Sequence, residues 1–197
     1  MYFERTSGVP FTYVAQGDLN GDLYNGNDPI YIPRNTTDPE EIVFSGTAAA
    51  AATQAAAFER FISSQSCLDR QRGQIMERNS CRTPGQTRMD VSIRQSIPRL
   101  AHQQLTLQLD VFNFLNLINQ DWGQIKLPTL SPTFNDQRAL VVTARSAGPL
   151  SQSQSTFTFD NRLYQSDVTK GNFGGPRPFE GRSGSVYQVQ LMLRYSF

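Results

Sequence analysis

The chain has 197 residues, with 18 Lys and Arg against 17 Asp and Glu, one His and two Cys, for a formal net charge of +1. That near-neutral balance, without any block of like charge, excludes a strongly basic nucleic-acid binder. Only 38% of residues are hydrophobic, mean hydropathy is −0.43, and the Ala-rich run at Thr47–Ala57 is too short to cross a bilayer, so a helical membrane protein is excluded as well. Two classes stay open: a polar soluble β-rich domain, and a transmembrane β-barrel, whose strands carry too few apolar residues to register in an average. No Lys/Arg-led apolar segment opens the chain, so no signal peptide is expected.

The first strand-like run, Tyr2–Val14, is partial, interrupted by Gly8 and Pro10. A long connection follows, from Ala15 to Gly85. Within it, Asp18-Leu19-Asn20-Gly21-Asp22 has the spacing of the first half of an EF-hand loop. Leu23 then stands where that loop needs Gly, and Pro29 where it needs the bidentate Glu. Asp18, Asn20, Asp22 and Asp28 form a candidate oxygen set for a structural calcium ion outside the EF-hand pattern. A polar loop tip accounts for the same residues, because tight turns favour Asp, Asn and Gly.

Further along, Asp38-Pro39-Glu40-Glu41 has the form of a helix start, with an N-cap acid, Pro at the first helical position and carboxylates at the positive dipole end. Residues Thr47–Ser64 predict a second helix, with Phe58, Phe61 and Ile62 on one side. With only Arg60 on its polar face it lacks the basic character of a membrane-surface helix, and it is expected to pack on a barrel rim or lie in solvent. Cys67 and Cys81 alone cannot supply four zinc ligands, and His102 lies elsewhere. A loop disulfide is expected if this segment faces an oxidising space, against two unrelated free thiols.

Period-two alternation is clearest in three runs. In Arg88–Ile97, Met89, Val91, Ile93 and Ile97 oppose Asp90, Ser92, Arg94 and Ser96. In Gln103–Val111, Leu105, Leu107, Leu109 and Val111 oppose Gln104, Thr106, Gln108 and Asp110. In Val186–Phe197, Tyr187, Val189, Leu191, Leu193, Tyr195 and Phe197 oppose Gln188, Gln190, Met192, Arg194 and Ser196. Weaker runs at Arg138–Arg145 and Ser155–Tyr164 bring the candidate strands to six. Their connections alternate: Ala15–Gly85 long, Pro98–His102 short, Asn116–Gln137 long, Ser146–Gln154 short, Gln165–Ser185 long. Transmembrane barrels sort loops this way, with tight turns on one rim and long loops on the other. Aromatics flanking an aliphatic band on the last strand fit the girdles of such a barrel. Catalysis finds no foothold, since GxSxG, HExxH, GxxxxGK and GxGxxG are all absent; an enzyme is not expected.

Several segments together resemble one family. Gly17–Asp22 with Asn27-Asp28-Pro29-Ile30-Tyr31-Ile32-Pro33, then Phe58–Ile62 with Cys67 and Arg78-Asn79, are similar to TonB-dependent outer-membrane receptors of the Oar-like, carboxypeptidase-regulatory-like branch. So are Met89–Ser92, Asp110-Val111-Phe112-Asn113-Phe114-Leu115-Asn116-Leu117 and Asp121-Trp122-Gly123. The closing Leu193–Phe197 resembles an outer-membrane assembly signal, in which Tyr195 and Phe197 are the recognised aromatics. Leu23, where Gly is usual, and Gly85, where Trp is expected, depart from the pattern.

The resemblance implies an all-β, antiparallel up-and-down barrel segment of about six strands spanning residues 1–197, without plug or TonB box. Residues 15–85 would then be an extracellular loop with short helices and the disulfide. Such a piece belongs to the bacterial outer membrane, where it forms wall and loops for uptake of an unidentified ligand. Its partners are lipid, the parent's remaining barrel and plug, the barrel-assembly machinery, and TonB through the plug. On this reading Leu105, Leu107, Leu109, Val111, Val189, Leu191 and Leu193 face lipid, and Arg94, Gln108, Asp110, Gln190 and Arg194 face the lumen. The rivals are a soluble extracellular β-domain with a calcium-binding loop and, third, a secreted hydrolase.

Overall fold

The computed structural model describes residues 1–83, 85–98, 104–124, 138–144, 155–159 and 186–196. Phe197, His102 and the connections at 99–103, 125–137, 145–154 and 160–185 lie outside them. In chain order the elements are β1 (Tyr2–Thr6), β2 (Pro10–Phe11), β3 (Val14–Gln16), β4 (Tyr31–Ile32), β5 (Val43–Phe44), α1 (Ala48–Ser64), α2 (Ser66–Asp69), β6 (Gln74–Ile75), β7 (Cys81–Arg82), β8 (Gln86–Pro98), β9 (Gln104–Phe112), α3 (Phe114–Ile118), β10 (Arg138–Ala144), β11 (Thr156–Phe159) and β12 (Gln188–Ser196). Strand is thus the dominant regular structure. The chain divides into two compact units, the first from 1–8, 84–126 and 178–197, the second from 9–83 and 127–177.

The first unit is built on one open antiparallel sheet in the order β1-β8-β9-β12. Val91 faces Val111 and Val111 faces Val189, so the three long strands share an unbroken register from that row to Ile97, Leu105 and Tyr195. On the other side of β8, Thr6 pairs with Gln86. The ends at Thr6, Gln86, Phe112 and Gln188 therefore lie on one rim, and the paired ends Pro98 and Gln104 lie on the opposite one. Within this sheet every neighbouring pair is antiparallel.

The second unit departs from the expected strand order. The runs at Arg138–Arg145 and Ser155–Tyr164 do form strands, but not as neighbours of β9 and β12. They make a second sheet, ordered β3-β10-β11-β5, in which β3 and β5 run parallel to their partners. Alternation marks a strand without naming its sheet, and β9 pairs directly with β12 instead. The interrupted run Tyr2–Val14 supplies β1, β2 and the start of β3, with breaks at 7–9 and 12–13. The segment 15–85 carries short helices, α1 and α2. It encloses a core in which Tyr13, Phe58, Phe61, Phe157, Ile30, Ile32, Ile62 and Leu68 are almost fully buried.

The helix α1 organises that core. Ala is the strongest helix former, and the Thr47 hydroxyl caps the start by accepting from the Ala50 amide at 3.3 Å. The expected Phe58–Phe61–Ile62 face is buried, within the second unit's core rather than on a rim or in solvent. Its rings meet Tyr13 at 5.0 Å and Phe159 at 5.2 Å between centroids. Gln54, which interrupts the Ala run, donates to the Ser45 carbonyl at 2.8 Å and accepts from the Phe159 amide at 3.0 Å, tying helix to strand. The helix expected at Asp38 is a single turn: the Asp38 carbonyl accepts from Glu41 and Ile42, at 3.1 and 3.0 Å. Burying Ile42 and Phe44 draws the chain into β5 before a second turn can form.

Candidate functional site

Period two gives the first unit's sheet two chemically distinct faces. Leu105, Leu107, Leu109, Val111, Val189, Leu191 and Leu193 share one, joined by Phe3, Met89, Val91, Ile93, Ile97 and Tyr195. Its central side chains are open to the surroundings: Leu191 is 68% exposed, Leu193 67% and Ile93 60%. The paired Arg5 and Thr87 also lie on this face, toward the rim, and Gln95 interrupts it in the row of Leu107 and Leu193. The Gln95 amide donates to the Ser96 carbonyl at 3.1 Å.

The opposite face carries all five expected lumen-side residues, Arg94, Gln108, Asp110, Gln190 and Arg194. Three of them form a chain of hydrogen bonds: Arg94 donates to Gln108 Oε1 at 3.0 and 2.7 Å, and Gln108 donates to Asp110 at 3.0 and 2.8 Å. Ser92, expected on the polar face but not among the five lumen-side residues, completes it with a 2.5 Å bond to Asp110. Gln190 stands opposite Asp110, and Arg194 opposite Thr106.

At the rim of long excursions, two buried asparagines hold the chain beyond β9. Asn113 takes a left-handed conformation (φ 53°), which Asn tolerates better than most residues. Its amide N–H donates to Asp90 at 2.8 Å and its side chain to the Gly123 carbonyl at 3.1 Å. Gly123 is obligatory there, because a Cβ would lie 2.0 Å from Asn113 Oδ1. Asn116 donates to the carbonyls of Gln120 and Trp122, at 2.8 and 2.9 Å, and accepts from the Tyr187 amide at 3.3 Å. The repeated Asn of Asn113-Phe114-Leu115-Asn116 was the available signal for this clasp.

The Asp18, Asn20, Asp22 and Asp28 residues do gather in one loop of the second unit, but their oxygens face its own amides. Asp18 accepts from Gly21 and Leu23 at 2.6 and 3.0 Å, and Asp28 from Leu19 at 2.6 Å. Asp22 accepts from Tyr24 at 2.8 Å and from the side chains of Asn20 and Asn27. The Asn27 amide, then the Tyr24 N–H and Asn20, hold its carboxyl below the usual carboxylate range. Among the described residues no three His, Cys, Asp or Glu side chains are grouped to hold a metal ion. Leu23, in the place of an EF-hand glycine, has φ 68° and is 91% exposed.

The Cys67–Cys81 disulfide is formed, with Cα atoms 5.2 Å apart. It joins α2 to β7, with Cys81 buried. Nearby, Arg72 donates to Glu59 at 2.6 and 3.2 Å and to Asp69 at 2.9 Å. The hydrogen bond from Arg72 is the main reason the Glu59 carboxyl lies below its usual range.

No protein-family model, curated protein or solved structure matches the chain.

Proposed function

We propose that the chain is the C-terminal wall and loop region of a bacterial outer-membrane barrel, of the TonB-dependent receptor kind. The observation that carries this reading is the two-faced sheet: an exposed aliphatic face backed by a hydrogen-bonded polar one. A soluble protein seldom leaves so large a contiguous apolar surface uncovered, whereas a barrel wall meets hydrocarbon with one face and water with the other. Strand length agrees. β9 and β12 are nine residues each, and a transmembrane strand needs about 9–11. Tyr195 at one end of the band and Tyr187 near the other fit interfacial aromatic belts.

The outer edges of β1 and β12 are the places where further strands of the parent barrel would pair. Residues 15–85 would then be an extracellular loop. There a disulfide persists and ligand capture begins. Lipid, the rest of the barrel with its plug, the assembly machinery acting on Tyr195 and Phe197, and TonB through the plug are the partners of this role. It is a receptive role rather than an enzymatic one.

Liposome flotation tests it. Chain refolded in the presence of phospholipid vesicles should float with them and resist high-salt extraction. Recovery of folded, disulfide-bonded chain in the aqueous fraction would overturn the proposal in favour of a soluble β-domain.

A further inference from the structure

We infer that the rim of the first unit carries a saccharide-binding pocket centred on Trp122. A cavity of about 360 Å³ opens there, lined by Gly85, Thr87, Leu115, Asp121, Trp122, Gly123 and Gln124. That is the small end of the range for ligand sites, roughly 300–1,000 Å³, with room for a small saccharide. The pocket belongs entirely to residues 85–124, so it stands whether or not the sheet is part of a barrel.

Three features point to a sugar. Trp122 is half-exposed, and an indole face is an apolar platform on which the C–H face of a pyranose can lie while the ring's rim stays wet. Around it, the Asp121 carboxylate, the Thr87 hydroxyl and Gln124 Oε1 have no hydrogen-bond partner among the described residues; the Gln124 amide donates to the Gln120 carbonyl at 2.6 Å. A carboxylate beside an aromatic face can accept from vicinal hydroxyls, in charge-assisted bonds of about twice neutral strength.

The third feature is pre-organisation. The carbonyls of Gln120, Trp122 and Gly123 are all taken inward by Asn113 and Asn116, so the turn bearing Asp121, Trp122 and Gln124 is held before any ligand arrives, which lowers the cost of binding. The same lining disfavours the alternatives. Among the described lining residues an anionic phosphate would meet Asp121 and no Lys or Arg, and an organic cation would find a single aromatic face where cation sites use several.

The chain contains one tryptophan, so its emission reports on this pocket alone. The experiment titrates full-length, disulfide-bonded chain, folded in a detergent without a sugar headgroup, with the methyl glycosides of glucose, galactose, mannose and N-acetylglucosamine. Tetramethylammonium chloride and sodium phosphate serve as comparison ligands. At least one glycoside should give a saturable change in Trp122 emission, with Kd in the millimolar range, about 1 mM. Asp121→Asn and Thr87→Val, both conservative in shape, should retain circular dichroism and resting emission. The first should weaken binding about tenfold or more, as loss of a hydrogen bond to a charged group requires. Absence of a saturable response to every glycoside in the folded chain would overturn the inference. So would preferential saturation by tetramethylammonium or phosphate, or unchanged affinity in Asp121→Asn.

Discussion

Leu191→Arg compared with Gln190→Arg separates a wall in lipid from the same sheet in water. The two positions are adjacent on β12, and a one-residue step reverses the face. Leu191 lies in the row of Leu109 and Ile93, one in from the Val111 end of the aliphatic band. A cation there enters hydrocarbon, at a cost of about 2–4 kcal/mol near the midplane. Because Leu191 is 68% exposed, the same change in water removes little packing and should fall within about 0.5 kcal/mol. Gln190→Arg, on the side of Arg94 and Asp110, should stay within about 0.5 kcal/mol in either setting. The assay is reversible urea unfolding of the full chain in phospholipid vesicles, followed by far-ultraviolet circular dichroism. A difference of 2 kcal/mol or more between the variants is expected, taking the lower end of about 2–4. Equal midpoints and slopes would refute the assignment of the Leu191 face to lipid.

Three further outcomes concern the second unit. Replacing Cys67 and Cys81 by Ser opens a loop of sequence separation 14, and should lower stability by about 3 kcal/mol in the chain-entropy description, read as an urea midpoint against the disulfide-bonded chain. Leu23→Gly relieves a left-handed, exposed side chain and should raise stability by up to about 1 kcal/mol, read as a higher midpoint; a lower one would contradict it. Glu59, held below its usual range chiefly by the Arg72 hydrogen bond, contributes stability above the ordinary Glu value of about 4.3, and that contribution is lost as the pH falls through the folded value. Asp22 acts in the same direction. Glu59→Gln should therefore flatten the acid limb of a stability–pH curve while leaving unchanged the slope near neutrality.

The two-faced sheet was legible in the sequence because alternation is a local signal: β8, β9 and β12 each display it, and pairing like faces follows from it. Helix α1 was legible for the same reason, through its Ala run and the Phe58–Phe61–Ile62 stripe. What escaped was long-range. Nothing in Arg138–Ala144 or Thr156–Phe159 says that their neighbours are Val14–Gln16 and Val43–Phe44, more than a hundred residues earlier in the chain. The Asp38 motif satisfied every local rule for a helix start, and burial of Ile42 and Phe44 overrode it. In the Asp18 loop the acidic spacing fits a ligand set and a polar turn equally well, and in the fold Asp18 and Asp28 accept from the loop's own amides. Asn113 and Asn116 looked like an ordinary strand end, since their partners at Asp90, Gly123 and Tyr187 come together only in the fold.

Depth-resolved spin labelling tests the membrane wall most directly. The native cysteines are paired, so a single introduced thiol at Leu191→Cys or Gln190→Cys takes the nitroxide alone. In vesicles, a label at 191 should collide freely with oxygen and hardly at all with a water-soluble nickel complex, and a label at 190 should show the reverse. Ready access of the nickel complex to both positions would contradict a lipid-facing Leu191 and the barrel with it.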